Sequence, residues 1–275
     1  MTTILAFSLG LGLALLTFKI TTVEIPVFGF HDIIDLDNPA EQLPQRSPQA
    51  GDYSKQNLSV FLNYLVKQNY WFLSTSDLYD YFLNDPKKPI PEAHKSQKPI
   101  LLTFDDGYKS AHRNILSILE AIERQEGQKI KIVWFINPAF LGIRGSQLDR
   151  VDCTDLREGV KRGYYDVQSH GLNHLNLTQI DDEKRDRELL ESRKQLKACL
   201  GDLDARFASH IAYPFGASNS RVRQHVSRYY LTGYLYNSRI LRPSRLKSKY
   251  SIPRLSVDDK MSVARLKILA AGFWF

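Results

Sequence analysis

The sequence predicts an α/β fold, a distorted (β/α) barrel of about seven parallel strands in a single domain. Short apolar runs alternate with amphipathic stretches of helical length, which is the pattern of a parallel sheet covered by helices. Polar side chains of unusual chemistry follow three of these runs, where the active sites of such folds form. With 275 residues, 43% hydrophobic and 24% charged, the chain is too apolar to be disordered.

The predicted elements follow one another along the chain, with no sign of an internal repeat. The first strand covers residues 25–30, a proline-rich loop covers 38–51, and a helix covers 53–68. A second short helix begins at Ser76, with this serine as its cap. Strands at 100–104, 130–136, 165–168, 211–213, 230–236 and 251–257 then alternate with helices at 108–124, 154–161, 181–200, 218–229 and 262–269.

The amino terminus carries an uncharged apolar run over residues 4–18, followed by Lys19. The run is shorter than the roughly 18 to 20 residues of a membrane span but fits the apolar part of a secretory signal. No basic residue precedes it and no Ala-x-Ala pattern follows it, so cleavage stays open, and a buried helix is the alternative. We therefore expect an export signal or short membrane anchor at 1–22, a folded domain at 23–275, and an extracytoplasmic protein that is secreted, periplasmic or membrane-anchored.

The net charge of +7 is spread along the chain, so the sequence does not predict a nucleic-acid partner. The most basic segment, 239–249, is expected to be a solvated loop. Cys153 and Cys199 are too few for a disulfide framework or a cysteine zinc site. They form one bridge in an oxidising compartment, or they are two buried thiols.

Two strand ends carry groups that can bind a metal. Asp105 and Asp106 directly follow a buried strand, and adjacent buried carboxylates need a compensating cation; the alternative is that one of them caps the next helix. His170 and His174 follow another strand and, at four residues apart on one helical turn, would face the same way. The alternative is a pair of ordinary turn histidines.

Together, one carboxylate and two imidazoles make a three-ligand site with room for water, the pattern of a catalytic zinc centre. The spare carboxylate would then deprotonate the water. A third strand end, the turn Pro214-Phe215-Gly216, can aim a backbone N–H at a reacting centre, or it is an ordinary turn.

These motifs, TFDDG, His-x-x-x-His and Pro-aromatic-Gly, occur in an order that resembles the polysaccharide deacetylases of carbohydrate esterase family 4, the NodB-homology domain. The resemblance covers roughly residues 25–269. The early segment GFHDI and the form AYPFG of the third motif are most similar to the poly-β-1,6-N-acetylglucosamine deacetylases of biofilm systems.

The resemblance implies that Asp105 is the general base and that Asp106, His170 and His174 hold a divalent metal. Zinc is the expected ion, with nickel or cobalt as alternatives. Pro214 and the Phe215 N–H would help to stabilise the oxyanion. The implied fold is a barrel of fewer than eight strands. The implied activity is removal of N-acetyl groups from a β-linked N-acetylglucosamine polysaccharide, releasing acetate.

Poly-N-acetylglucosamine is the favoured substrate, and chitin oligomers and peptidoglycan are the alternatives. A glycan-binding protein that kept the fold and lost turnover is the alternative of another class. Apart from the glycan, the expected partner is a membrane, through residues 4–18, and the protein is expected to be a monomer.

The sequence departs from the family pattern at three positions. Gly171 stands where a serine or threonine is usual. Ala212 stands where an arginine is common, and Arg254 is the candidate substitute for that arginine. The next residue, Leu255, is a candidate substrate contact. The usual Leu-x-His element reads Leu255-Ser256-Val257, so the general acid must come from elsewhere.

His31 is the candidate for this acid, and a packing histidine is the alternative. Three aromatic residues, Tyr108, Phe140 and Tyr234, would stack on sugar rings or belong to the core. The remaining histidines, His94, His112, His210 and His225, have no motif context and are expected to be structural or surface residues.

Overall fold

The computed structural model describes residues 23–145 and 148–273. Its strands alternate with helices as the sequence predicts. They are β1 (Val27–Phe30), β2 (Ile33–Ile34), β3 (Tyr53–Ser54), β4 (Tyr70–Phe72), β5 (Lys98–Asp105), β6 (Ile132–Ile136), β7 (Tyr165–Ser169), β8 (His210–Ala212), β9 (Thr232–Tyr234) and β10 (Leu255–Ser256).

Most of the helices begin at a serine, aspartate or asparagine whose side chain caps the first turn. They are α1 (Lys55–Lys67), α2 (Thr75–Leu78), α3 (Lys109–Glu126), α4 (Cys153–Lys161), α5 (Asp182–Leu200), α6 (Ser220–Val226) and α7 (Val263–Ala270). The predicted cap at Ser76 is wrong. Ser74 caps α2 instead, because its hydroxyl accepts from the Asp77 N–H while the Asp77 carboxylate accepts from the Ser74 N–H.

The main sheet is parallel and curls into a partial barrel in the order β10-β1-β5-β6-β7-β8-β9, so the prediction of about seven parallel strands is confirmed. An eighth strand, β4, pairs with the first half of β5 and was not predicted. The seam between β9 and β10 is bridged before β10 begins, where the Leu235 N–H donates to the Ile252 carbonyl at 2.7 Å.

Successive residues of each strand point to opposite faces of the sheet, and side chains on both faces are buried. In β5, Leu102 and Phe104 pack under the helices, whereas Leu101 joins a second apolar cluster with Phe135 and Tyr234. Tyr234 is fully buried there, so the sugar-stacking alternative for this residue is wrong and the core alternative is correct.

Cys153 and Cys199 form a disulfide bridge with a Cα–Cα distance of 5.8 Å. The bridge ties the start of α4 to the end of α5. Of the two alternatives for these cysteines, the structure therefore shows the pairing.

Among residues 23–145 and 148–273, no helix has the length and apolarity needed to cross a bilayer. The predicted leader at 1–22 lies outside the described residues.

Candidate active site

The predicted site residues come together at the carboxyl ends of the parallel strands. Asp105 is the last residue of β5, His170 directly follows β7, and His31 directly follows β1. The turn at 214–216 follows β8. Residues that are far apart in the sequence therefore share one rim of the barrel, as in other parallel α/β folds.

Asp106, His170 and His174 form a compact cluster of metal-ligating atoms. The Asp106 Oδ1 lies 3.6 Å from His170 Nε2 and 3.5 Å from His174 Nε2. Ligands about 2.0–2.2 Å from a tetrahedral ion are roughly 3.4 Å apart, so these separations fit one divalent ion. The donor set of one carboxylate and two imidazoles, with a position left for water, is that of a catalytic zinc site.

His170 is held in the tautomer that a metal requires. Its Nδ1 lies 2.9 Å from the Ala212 carbonyl oxygen, which can only accept, so Nδ1 carries the proton and the Nε2 lone pair faces Asp106. Burial lowers the pKa of His170 in spite of the nearby charges of Asp105 and Asp106. The ring is therefore neutral and available as a ligand.

The segment between the two histidines is not the helical turn that the spacing suggested. Gly171 and His174 both adopt left-handed backbone conformations, with φ of 75° and 55°. The Glu188 carboxylate of α5 holds the bend by accepting from the Leu172 and Asn173 N–H groups at 3.1 and 2.9 Å. The two rings still meet, with centroids 5.0 Å apart. The left-handed conformation favours glycine at 171, where the family usually has serine or threonine.

Asp105 is paired with the arginine expected to replace the usual partner. The two Nη atoms of Arg254 donate to the two carboxylate oxygens, both at 2.7 Å, and the Arg254 side chain is fully buried. Burial alone raises the pKa of Asp105, but the charge and hydrogen bonds of Arg254 outweigh it. The net pKa lies below the ordinary range, so the carboxylate is ionised.

The Pro214-Phe215-Gly216 turn presents an unusual backbone beside the cluster. Phe215 has a left-handed φ of 59°, and its ring lies 4.6 Å from the His174 ring. The turn is closed by bonds from the Gly216 and Ala217 N–H groups, neither of which uses the Phe215 N–H. The predicted oxyanion role of that N–H stays a prediction.

A pocket of about 400 Å³ is lined in part by His31, Tyr108, Tyr236 and Val257, and Tyr108, whose phenol donates to Asp106, connects it to the metal cluster. The His31 ring packs edge-on against Tyr236 at 5.3 Å, and its buried Nδ1 has no hydrogen-bond partner among the described residues. Val257, at the position of the missing family histidine, lines the same pocket. His31 and the position of the missing histidine therefore belong to one pocket.

The sequence analysis missed the polar partners of the cluster. The Tyr108 phenol donates to Asp106 Oδ2 at 3.2 Å, and burial together with the Asp106 charge raises the pKa of Tyr108 to about 12. The Asn137 side chain, directly after β6, donates to the carbonyls of His170 and Gly171. The position of Asn137 after a strand was the one available signal.

Two further predictions about individual residues have different outcomes. Leu255 was predicted to contact the substrate, but its side chain is buried in the core under the helices. His94 stacks on Trp71 at 4.3 Å, and His210 is buried against Thr232, in agreement with structural roles.

The fold and the site together define a parallel α/β barrel protein with a candidate three-ligand metal cluster beside a paired carboxylate. The family model for polysaccharide deacetylases matches residues 92–234, just over half of the chain. The chain therefore belongs to the polysaccharide deacetylase family, carbohydrate esterase family 4, as the motifs indicated.

A curated relative, "Putative polysaccharide deacetylase YxkH" of Bacillus subtilis (strain 168), is 23% identical over 210 residues, 76% of this chain and 66% of that protein. The chain thus spans about two thirds of the length of this relative.

Solved structures share the fold at low identity. The polysaccharide deacetylase BC0361 from Bacillus cereus has a TM-score of 0.74 at 20% identity, covering 90% of this chain and 69% of that chain. The Streptococcus pyogenes deacetylase PplD gives 0.72 at 21%, covering 90% and 98%. IcaB from Ammonifex degensii gives 0.66 at 18%, covering 90% and 97%.

Proposed function

We propose that the chain is a metal-dependent enzyme that removes N-acetyl groups from a β-linked N-acetylglucosamine polysaccharide and releases acetate. The observation that carries this proposal is the ionised Asp105, fixed by Arg254, at the edge of the Asp106–His170–His174 cluster. Its Oδ2 lies 3.8 Å from His170 Nε2, so a water bound at the cluster would lie within reach of the carboxylate.

A divalent ion held by the cluster would supply Lewis acidity to a water and to the acetyl carbonyl. Asp105 accepts the proton of the attacking water, and Arg254 keeps the carboxylate ionised and correctly turned. Because two hydrogen bonds fix the carboxylate, little reorganisation is needed when the proton moves.

The other two steps fall to the Phe215 turn and to His31. The Phe215 N–H donates to the oxyanion that forms on the acetyl carbon, an interaction typically worth about 3 kcal/mol of transition-state stabilisation. As the amide C–N bond breaks, His31 gives a proton to the leaving amine. The products are acetate and a glucosamine unit with a free amine.

Poly-β-1,6-N-acetylglucosamine is the favoured substrate, because the GFHDI and AYPFG motifs are most similar to that branch of the family. The aromatic residues Tyr108 and Tyr236, which line the pocket together with the polar His31 and Asp258, support binding of a sugar there. Chitin oligomers and peptidoglycan are the alternative substrates. The structure of the similar deacetylase PplD holds acetate, the product expected here.

An extracytoplasmic location belongs to the same proposal. The Cys153–Cys199 bridge is typical of an oxidising compartment, and the apolar run at 4–18 fits an export signal or membrane anchor. Zinc is the proposed ion because its preferred ligands match the cluster.

One observation favours a second candidate, a glycan-binding protein without turnover. Val257 stands where the family's acid histidine is expected, and it cannot transfer a proton. In this case the pocket would bind the glycan and the acetyl group would stay in place.

The experiment is acetate release from poly-β-1,6-N-acetylglucosamine, chitin oligomers and peptidoglycan, by the intact protein and by Asp105→Asn. We expect release by the intact protein, and a rate at least about 100-fold lower for the variant at unchanged metal content. Glycan binding without acetate release from any of the three would overturn the proposal in favour of the binding protein.

A further inference from the structure

A second group of metal-ligating side chains lies between α3 and α4 and shares no residue with the candidate active site. His112 comes from α3, and Asp155 and Glu158 come from α4. One ligand atom of each lies within 4.8 Å of the other two. The sequence analysis expected His112 to be only a structural or surface residue.

Each carboxylate of this group uses one oxygen for a cation and leaves the other toward the histidine. Asp155 Oδ2 accepts from Lys109, and Glu158 Oε1 pairs with Arg162 at 2.8 Å. The second oxygens lie 3.6 Å (Asp155) and 3.7 Å (Glu158) from His112 Nε2. Both separations are too long for a hydrogen bond.

His112 is built to serve as a ligand. Its side chain is buried, and its Nδ1 lies 3.1 Å from the Tyr165 phenol oxygen, which can donate or accept. Tyr165 can accept the Nδ1 proton, and the Nε2 lone pair is then directed at the two carboxylate oxygens, so a cation between them would be bound by all three side chains.

We propose that His112, Asp155 and Glu158 bind a second divalent metal ion of the zinc class, with water completing the coordination. The separations match the 3.5 and 3.6 Å found in the candidate active site and the spacing of ligands around a tetrahedral ion. The proposal does not depend on the proposed enzymatic function.

This ion would have a structural role. The ion would connect α3 to α4. The α3 helix begins three residues after Asp106, and the disulfide joins α4 to α5. The α5 helix in turn carries Glu188, whose carboxylate holds the histidine loop. Because Lys109 and Arg162 add positive charge nearby, we expect weaker binding than in the active site.

The test is equilibrium dialysis of the full chain against zinc, with the bound metal counted by mass spectrometry. A double variant, Asp106→Asn with His174→Ala, removes the active-site ligands and isolates the second group. We expect about two ions per chain for the intact protein and about one for the double variant. Adding Glu158→Gln should weaken the remaining binding at least about 10-fold.

Glu120→Gln is the matched control, because Glu120 also pairs with Arg162 but offers no ligand to the group. It should leave zinc binding unchanged. Glu158 is partly exposed, so its replacement is compatible with folding, and circular dichroism checks this. A zinc-dependent rise in melting temperature, present in the double variant and lost with Glu158→Gln, is the second readout. Absence of zinc binding by the double variant at about 1 mM zinc, or equal binding with Glu158→Gln, overturns the proposal.

Discussion

Arg254 makes Asp105 usable as a base by fixing its orientation and its charge. Both carboxylate oxygens are hydrogen-bonded to the guanidinium, so the pair has a single geometry. Arg254 also donates to the Leu235 carbonyl at 2.8 Å and to the Thr103 hydroxyl at 3.0 Å. Two acceptors other than the carboxylate thus hold the arginine in place.

We expect Arg254→Gln to lower the rate of acetate release by about 100- to 1000-fold, because the buried Asp105 loses its cation. Arg254→Lys should fall between this variant and the intact protein, since lysine keeps the charge without the two-pronged geometry. Steady-state kinetics with metal analysis checks both variants. Near-normal turnover by a folded Arg254→Gln protein would show that the pairing is structural only.

A buried cluster of three charged side chains beside His31 makes the stability of the protein depend on pH. Asp32 and Asp52 share the guanidinium of Arg46, at 2.8 and 2.6 Å. Burial is the largest influence and raises the pKa of Asp32 to about 6, against the lowering effects of Ser110 and Arg46. The native protein therefore binds a proton at this site over a pH range in which the unfolded chain does not, and native stability falls as the pH rises from 4 to 6.

Replacing Asp32 with asparagine removes this titration. Relative to Asp32→Asn, the free energy of unfolding of the intact protein should fall by up to about 3 kcal/mol between pH 4 and pH 7. Urea denaturation of the two proteins across this range measures the difference. Parallel stability curves would mean that the Asp32 pKa is the same in the native and unfolded chain.

The site residues that could be predicted from the sequence are those whose place at the end of a strand decides which residues lie near them. Asp106 and His170 each follow a parallel strand, and the ends of parallel strands meet at one rim. The partners Tyr108 and Glu188 were not predicted, because nothing in a charged helix such as α5 shows which carboxylate turns inward. Glu188 is 3% exposed, although its neighbours in the sequence are mostly polar.

At the scale of elements, α5 supports the metal cluster through one side chain. Glu188 accepts three hydrogen bonds from the loop between His170 and His174, two from N–H groups and one from the Asn173 side chain. Together with the Asn137 amide, which donates to the carbonyls of His170 and Gly171, this anchor holds the loop that contains the left-handed residues Gly171 and His174.

We therefore expect Glu188→Gln to weaken metal binding about 10- to 100-fold, since glutamine can accept at only one of the two oxygen positions. Glu191→Gln is the control on the same helix, because the Glu191 carboxylate pairs with Lys194 at the surface. Competition with a chromogenic chelator measures both affinities. Equal affinities for the two variants would contradict the anchoring role of Glu188.

The elements that were not predicted, or were predicted with the wrong bounds, are short. β4 is three residues long, too short for any alternation to show, and it is defined by its pairing with β5. The predicted strand at 251–257 is reduced to Leu255–Ser256, because the preceding segment crosses to β9 as a single bridge. Long periodic helices such as α3, by contrast, were predicted within about two residues.

In the whole molecule, the curl of the sheet brings the site residues together, and the seam between β9 and β10 accommodates the Arg254 side chain. The seam between β9 and β10 is spanned at Ile252, and Arg254 follows two residues later. From there its guanidinium reaches Leu235 on one side of the seam and Asp105 on the other. The pocket with His31 and Tyr236 lies on the same rim. A regular closed barrel would pair the backbone at this seam instead.

The central claim, that one divalent ion is held by Asp106, His170 and His174, is tested most directly by anomalous diffraction at the zinc absorption edge from crystals of the full chain. The account predicts a peak about 2.0–2.2 Å from Asp106 Oδ1 and from the Nε2 atoms of both histidines. Zinc-loaded crystals without anomalous density among these three side chains would contradict it.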